Sequence, residues 1–224
     1  MRERPSPNHG ARTGAIDMLV LHYTGMKSAE EALERLCDPV AQVSAHYVID
    51  EDGTVWRLVP EERRAWHAGP SSWRGIEDVN GASIGIELVN PGHEWGYRPF
   101  PEAQIAALED LARGILARHA IPARNIVGHS DAAPLRKQDP GELFPWPRLA
   151  RAGIGLWPET TPAPADHASL PRLLSVIGYK VESADVAAVL TAFQRHFRPA
   201  RCDGVADDET RTVIAALAAL VGEA

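Results

Sequence analysis

The chain is predicted to be an α/β protein, with a mixed central sheet flanked by helices and followed by a small all-α unit. Three observations carry that expectation. Residues 16–22 and 82–89 are nearly continuous apolar runs of strand length. After Pro101, apolar residues recur at the spacing of one helix face. Beyond the Pro/Thr/Ala-rich stretch 158–166, apolar positions recur only at helical spacing.

Taken in order, residues 16–22 read as a buried strand ending on His22. Ser28-Ala29-Glu30-Glu31 has the pattern of a capping box, and Ala32, Leu33 and Leu36 then mark a short amphipathic helix closed near Asp38-Pro39. Residues 45–50 and 54–59 read as a hairpin across Asp50-Glu51-Asp52-Gly53. Residues 82–89 form another buried strand. Pro101 opens a long helix with Ile105, Leu108, Leu111, Ala112, Ile115 and Leu116 along one face. A short strand over 125–128 delivers His129. Three helices are expected in 169–224, with seams through Leu173, Leu174 and Ile177, through Val186, Val189, Leu190, Phe193 and Phe197, and through Val213, Ile214, Leu217 and Leu220. The expected division is a catalytic unit over 1–157, a Pro-rich linker over 158–168 and a helical unit over 169–224. No internal repeat is evident.

Composition narrows the function. An apolar fraction of 45% is enough for a core, and a net charge of −7 argues against nucleic acid or an anionic membrane as partner. No apolar run approaches the roughly 20 residues a membrane span requires. The stretch 1–8 is charged and Pro-containing and lacks the apolar segment of a secretory signal, so a cytoplasmic location is expected. Cys37 and Cys202 lie far apart and are expected to be buried free thiols.

The run 128–141 holds His129, Lys137 and Asp139 among Gly and Pro. With His22 it offers two imidazoles and a carboxylate, a zinc donor set that leaves a fourth position for a reactive water. In an extended segment, alternate side chains face the same way, which would set Lys137 beside Asp139. The Lys137 ammonium suits a developing oxyanion. Glu87 interrupts an apolar strand, an unfavourable place for a carboxylate unless it is paired or used. Burial would raise its pKa, as an acid/base group needs, and Gly85 on the same strand face leaves room above the sheet. Each residue singly has another reading: a hydrogen-bonded histidine, a turn aspartate before Pro-Gly, a surface lysine, a glutamate facing water. No HExxH motif is present, so spacing alone leaves both readings open.

Seven blocks occur in order: Leu21-His22-Tyr23-Thr24, Val43-Ser44-Ala45-His46-Tyr47, Asp52-Gly53-Thr54-Val55, Ala65-Trp66-His67-Ala68-Gly69, Ser83-Ile84-Gly85-Ile86-Glu87, Gly128-His129-Ser130-Asp131 and Lys137-Gln138-Asp139-Pro140-Gly141. With them the chain resembles the zinc-dependent N-acetylmuramoyl-L-alanine amidases of the type-2 amidase family, whose fold is shared with peptidoglycan recognition proteins. The resemblance implies zinc on His22, His129 and Asp139, Glu87 as acid/base and Lys137 against the oxyanion. It implies hydrolysis of the amide between the lactyl group of N-acetylmuramic acid and L-alanine of the stem peptide. His67 is expected to line the substrate groove, with Arg74 and Asn90 as substrate contacts. His46 is expected to be structural, and Trp66 to belong to the core. Residues 189–197 and 203–207 resemble, more weakly, a small peptidoglycan-binding domain, which implies wall-fragment binding or a buttress.

The expected partners are muropeptides or peptidoglycan fragments, met by a monomer in the cytoplasm during recycling, typically as 1,6-anhydro forms. A wall-lytic amidase or endolysin is the alternative enzyme. A non-catalytic peptidoglycan sensor is the alternative from another class, and Glu87 and Lys137 argue against it because a pure binder needs neither.

Overall fold

The computed structural model describes residues 1–159, 162–182 and 185–222. Its strands are β1 (Arg2–Glu3), β2 (His9–Ala11), β3 (Met18–Tyr23), β4 (Tyr47–Ile49), β5 (Val55–Arg57), β6 (Arg63–Ala65), β7 (Ser83–Leu88) and β8 (Ile126–Gly128). The helices are α1 (Ala29–Cys37), α2 (Val79–Ala82), α3 (Gly92–Trp95), α4 (Glu102–Arg118), α5 (His129–Ala132), α6 (Trp146–Arg151), α7 (Leu170–Ile177), α8 (Val186–Phe197) and α9 (Asp208–Gly222). Six strands form one sheet in the order β1-β5-β4-β7-β3-β8, while β2 and β6 pair separately. The pairs β3–β7, β3–β8 and β4–β7 are parallel and β4–β5 is antiparallel, so the sheet is mixed as expected.

Strand alternation sorts the sheet into two faces. Leu19, Leu21, Ile84, Ile86 and Leu88 pack with Ile105, Leu108, Leu111, Ala112 and Ile115 of α4. On the other face Met18, Val20 and Val127 share a core with Leu174, Phe193, Ile214 and Leu217 of the C-terminal helices. Those helices cover only the amino-terminal half of that face. The carboxyl ends of the parallel strands stay open beyond them, the usual place for a site in such sheets.

Local signals act much as the sequence suggests. The Ser28 hydroxyl accepts from the Glu31 N–H at 3.2 Å, but the Glu31 carboxylate takes the Lys27 N–H rather than that of Ser28. β1, β2 and β6 were not anticipated, because strands of two or three residues are too short to carry a periodicity. Both cysteines are free but only partly buried.

His46 is structural, as expected. Its Nδ1 accepts from the Gly85 N–H at 3.0 Å, and Nε2 lies 3.1 Å from the Arg63 carbonyl. Burial outweighs that carbonyl and pushes the His46 pKa down to about 4. The unfolded chain therefore takes up a proton at higher pH than the folded one. Stability associated with His46 should be complete above pH 6.5 and fall as the pH drops toward 4, by about 3 kcal/mol at most. Urea melts at pH 7 and pH 4.5 should show this difference. His46→Asn offers an acceptor that does not titrate, and an unchanged pH slope in that variant would exclude His46 as its source.

Candidate metal centre

Parallel pairing of β3 with β7 sets His22 beside Glu87 at the open end of the sheet. β8 runs directly into α5, which begins on His129. The chain then turns back, and the Ser130 N–H donates to the Asp139 carbonyl at 2.9 Å, returning Asp139 to the same end. The segment before Asp139 is not extended. The Lys137 N–H bonds the Ala133 carbonyl and closes a turn, so strand-like alternation is not what aligns Lys137 with Asp139. Both residues nevertheless line one groove.

The donor atoms converge. His22 Nδ1, His129 Nδ1 and Asp139 Oδ2 form a triangle with edges of 3.0, 2.9 and 3.0 Å, and all three residues are buried. As metal ligands the two rings would be neutral, and their tautomers then follow from what lies behind them. His129 Nε2 is 2.9 Å from the Ala68 carbonyl, which can only accept, so Nε2 carries the hydrogen. Behind His22, three groups set the tautomer. The Val79 carbonyl must accept from the Ser83 hydroxyl at 2.5 Å. Ser83 Oγ then accepts from His67 Nε2 at 3.1 Å, leaving His67 Nδ1 to accept from His22 Nε2 at 3.0 Å.

Both Nδ1 atoms are thus bare lone pairs, aimed at each other and at a carboxylate. That arrangement is repulsive unless a cation sits among them. The edges fall slightly below the about 3.3 Å expected for tetrahedral ligands at roughly 2.0 Å from zinc, so the residues fit a divalent cation. Such second-row hydrogen bonds are the usual means of orienting histidine ligands. Burial and the neighbouring His129 push the His22 pKa down to about 4, in keeping with an unprotonated ligand.

One face of β7 serves this centre. Ser83 ends the hydrogen-bond chain, Gly85 lies under the His67 ring, and Glu87 reaches the groove. A Cβ on Gly85 would stand 2.5 Å from the ring of His67, which is held on both sides. Gly85→Ala should therefore lower stability by about 1–3 kcal/mol and weaken metal binding with it. Wild-type metal affinity in a folded Gly85→Ala protein would exclude His67 as the support of His22.

Glu87 Oε2 is buried with no hydrogen-bond partner. Burial, reinforced by Asp139 and opposed by Lys137, raises its pKa well above the usual range. A groove of about 390 Å³ exposes His22, Glu87, His129, Lys137 and Asp139, and adjoins a chamber of about 480 Å³ through Trp66, His67 and Arg136. Arg35, Arg64, Arg136 and Lys137 line the two, whereas Glu87 and Asp139 are the only carboxylates among their described lining residues. The groove is cationic in a protein of net charge −7.

His67 lines the groove and also backs His22. Arg74 and Asn90 do not reach it. The Arg74 N–H donates to the Gly178 carbonyl and its guanidinium to that of Val176, turning it toward the C-terminal helices. Asn90 is fully buried; its amide donates to the Arg98 carbonyl and its oxygen accepts from the Gly92 N–H, so the side chain is committed to a turn. Trp66 lines both chambers rather than the core, while Trp73 is core. Unanticipated were the arginines of the groove, Ser83, and Arg12, whose guanidinium binds the carbonyls of Glu61, Gly81, Arg63 and Ser83 behind the site. Ser83 was visible as the polar member of a polar–apolar alternation; the arginines carried no local signal.

The pattern that defines N-acetylmuramoyl-L-alanine amidases matches residues 12–142. N-acetylmuramoyl-L-alanine amidase AmiD of Escherichia coli K12 is 42% identical over 93% of this chain and 84% of its own. The 1,6-anhydro-N-acetylmuramyl-L-alanine amidase AmpD of the same organism is 41% identical over 66% of this chain and 89% of its own. The structure of E. coli AmiD with anhydro-N-acetylmuramic acid-L-Ala-D-gamma-Glu-L-Lys superposes with a TM-score of 0.84 at 40% identity, covering 99% of this chain and 94% of that one. AmpDH3 of Pseudomonas aeruginosa with an anhydromuramic pentapeptide gives 0.80 at 35% identity, covering 95% and 94%.

Proposed function

The chain belongs to the N-acetylmuramoyl-L-alanine amidase family, and we propose on that premise that its metal centre cuts the lactyl–L-alanine amide of 1,6-anhydro-muropeptides released in peptidoglycan turnover. The observation that carries this reading is the convergence of three candidate ligand atoms beside Glu87, whose Oε2 is buried without a partner. Relatives bound to anhydromuramyl peptides supply the substrate class. The cationic groove fits the free carboxylates of a stem peptide.

The ligand set of two imidazoles and one carboxylate favours zinc, which would supply Lewis acidity to the amide carbonyl and to a water. His22, His129 and Asp139 would hold it, with His67 and the Ala68 carbonyl setting the two imidazole tautomers. Glu87, kept basic by burial, takes the proton of the attacking water and returns it to the departing L-alanine nitrogen. Lys137 lies against the carbonyl oxygen as it gains negative charge. Lys137→Met should lower kcat by about 10²–10³ with KM and metal content nearly unchanged, as steady-state kinetics and metal analysis would show. A proportional loss of metal would reassign Lys137 to the support of the centre.

We assign residues 1–157 as the catalytic unit, 158–168 as the linker and 169–224 as the helical unit. Among the described residues, no helix is long and apolar enough to cross a membrane. A cytoplasmic location is part of the proposal: recovery with cytosolic markers on fractionation supports it, and recovery with the envelope overturns it. The test of function is release of L-alanine-containing peptide from purified 1,6-anhydro-muropeptide and from intact sacculi, with and without a chelator. Chelator-sensitive cleavage of the fragment, with sacculi nearly untouched, supports a recycling enzyme. Efficient solubilisation of sacculi would make it a wall-lytic amidase, and cleavage of neither by metal-loaded protein would leave a binding protein.

A further inference from the structure

The loop from α5 to Asp139 carries two of the three metal ligands and Lys137. Much of its support comes from far away in the chain. Asp131, two residues after His129, is almost completely buried, and its carboxylate collects three donors. The Gly128 N–H reaches Oδ2 at 2.8 Å, the Tyr179 hydroxyl reaches Oδ1 at 2.6 Å, and His196 Nδ1 reaches Oδ2 at 2.7 Å. Gly128 fixes the start of the ligand segment locally. Tyr179 and His196, by contrast, belong to the C-terminal helical unit.

Neither partner is a casual packing residue. Tyr179 packs its ring edge-on against Trp73 at 5.0 Å. The His196 ring stacks on Trp146 at 3.7 Å, and its Nε2 is buried without a partner. A histidine with one orphaned nitrogen is a poor choice for filling space, and its donation to Asp131 supplies the missing reason. The neighbouring Arg195 on α8 lies 3.5 Å from Gln138 Oε1, beside Asp139, so the same helix touches both ends of the ligand loop.

We propose that Asp131, clamped by Tyr179 and His196, is a positioning residue for the metal centre, and that the C-terminal helices therefore support metal binding. This rests on the metal-site reading above. The physical reason is that a buried carboxylate tolerates the loss of a donor poorly. It will move to regain one and carry the Gly128–His129 backbone with it, and metal sites demand placement within about 0.5 Å.

The experiment titrates cobalt(II) into the metal-stripped full chain against a competing chelator and records the cobalt absorption spectrum. Tyr179→Phe deletes one hydroxyl, and His196→Phe keeps the ring but removes the donor. Each should weaken cobalt binding about tenfold and alter the spectrum, with partial recovery in His196→Asn, which restores a donor. Ile214→Ala, which opens the buried face of α9, a helix with no hydrogen bond to Asp131, Tyr179 or His196 among the described residues, should leave affinity unchanged. Wild-type affinity in both phenylalanine variants would overturn the proposal, as would an equal loss in Ile214→Ala. Should His196→Phe not fold, Tyr179→Phe decides alone. If the wild-type chain itself binds no cobalt, the metal-site reading fails first and this inference falls with it.

Discussion

Glu87→Gln is expected to abolish most turnover, lowering kcat by about 10²–10⁴, while the protein keeps its metal and gains stability. The three effects share one cause. Oε2 of Glu87 is buried without a partner on a strand whose neighbours are apolar, so the carboxylate is held where its charge is disfavoured. A neutral amide of the same shape removes that penalty, about 1–3 kcal/mol on mutational scales, and raises the unfolding temperature. It also removes the only described carboxylate in the groove that is not a candidate metal ligand. Kinetics, metal analysis and a thermal melt on one preparation would test all three. Retained turnover would exclude Glu87 as the acid/base, whereas lost metal would make it a structural support of the ligands.

The second large effect concerns the metal. Adding zinc to the stripped wild-type chain should raise the melting temperature by on the order of 10 °C at a thousandfold excess over Kd. That excess corresponds to about 4 kcal/mol, and a chain of this size gains roughly 2–4 °C per kcal/mol. Asp139→Asn should show almost none of this gain and should lose activity with it. Yet its metal-free form should melt no lower than metal-free wild type. Wild type without metal holds three lone pairs within 3.0 Å of one another, and an asparagine amide can donate a hydrogen to one of them. An undiminished zinc response in Asp139→Asn would place the metal elsewhere. A metal-free variant far less stable than metal-free wild type would show that Asp139 acts chiefly as a structural partner of the histidines.

Much of the fold was legible because its signals are local. Continuous apolar runs mark β3 and β7, the Ser28 cap and α1 carry a local pattern, and the helical spacing from Ile105 to Ile115 marks α4. The candidate ligand and acid/base residues were legible for another reason. An imidazole at a strand end and a carboxylate in an apolar strand are out of place in a core, and seven ordered blocks told how to read them. Arg74 and Asn90 were misplaced because nothing local distinguishes an arginine facing a groove from one bonded to the carbonyls of another helix.

The sequence by itself determined which segments form five of the six strands of the main sheet, that α4 has one apolar face, and which residue types stand at the open ends of the strands. It did so because burial imposes a period on the chain, and the period is written in consecutive residues. Only the tertiary structure decided what stands behind those residues. His67 meets His22 across 45 positions, Tyr179 meets Asp131 across 48, and His196 meets it across 65. A period shows that a side chain faces inward but not which distant group it will find there. Tautomers, donors and acceptors are settled by that distant group.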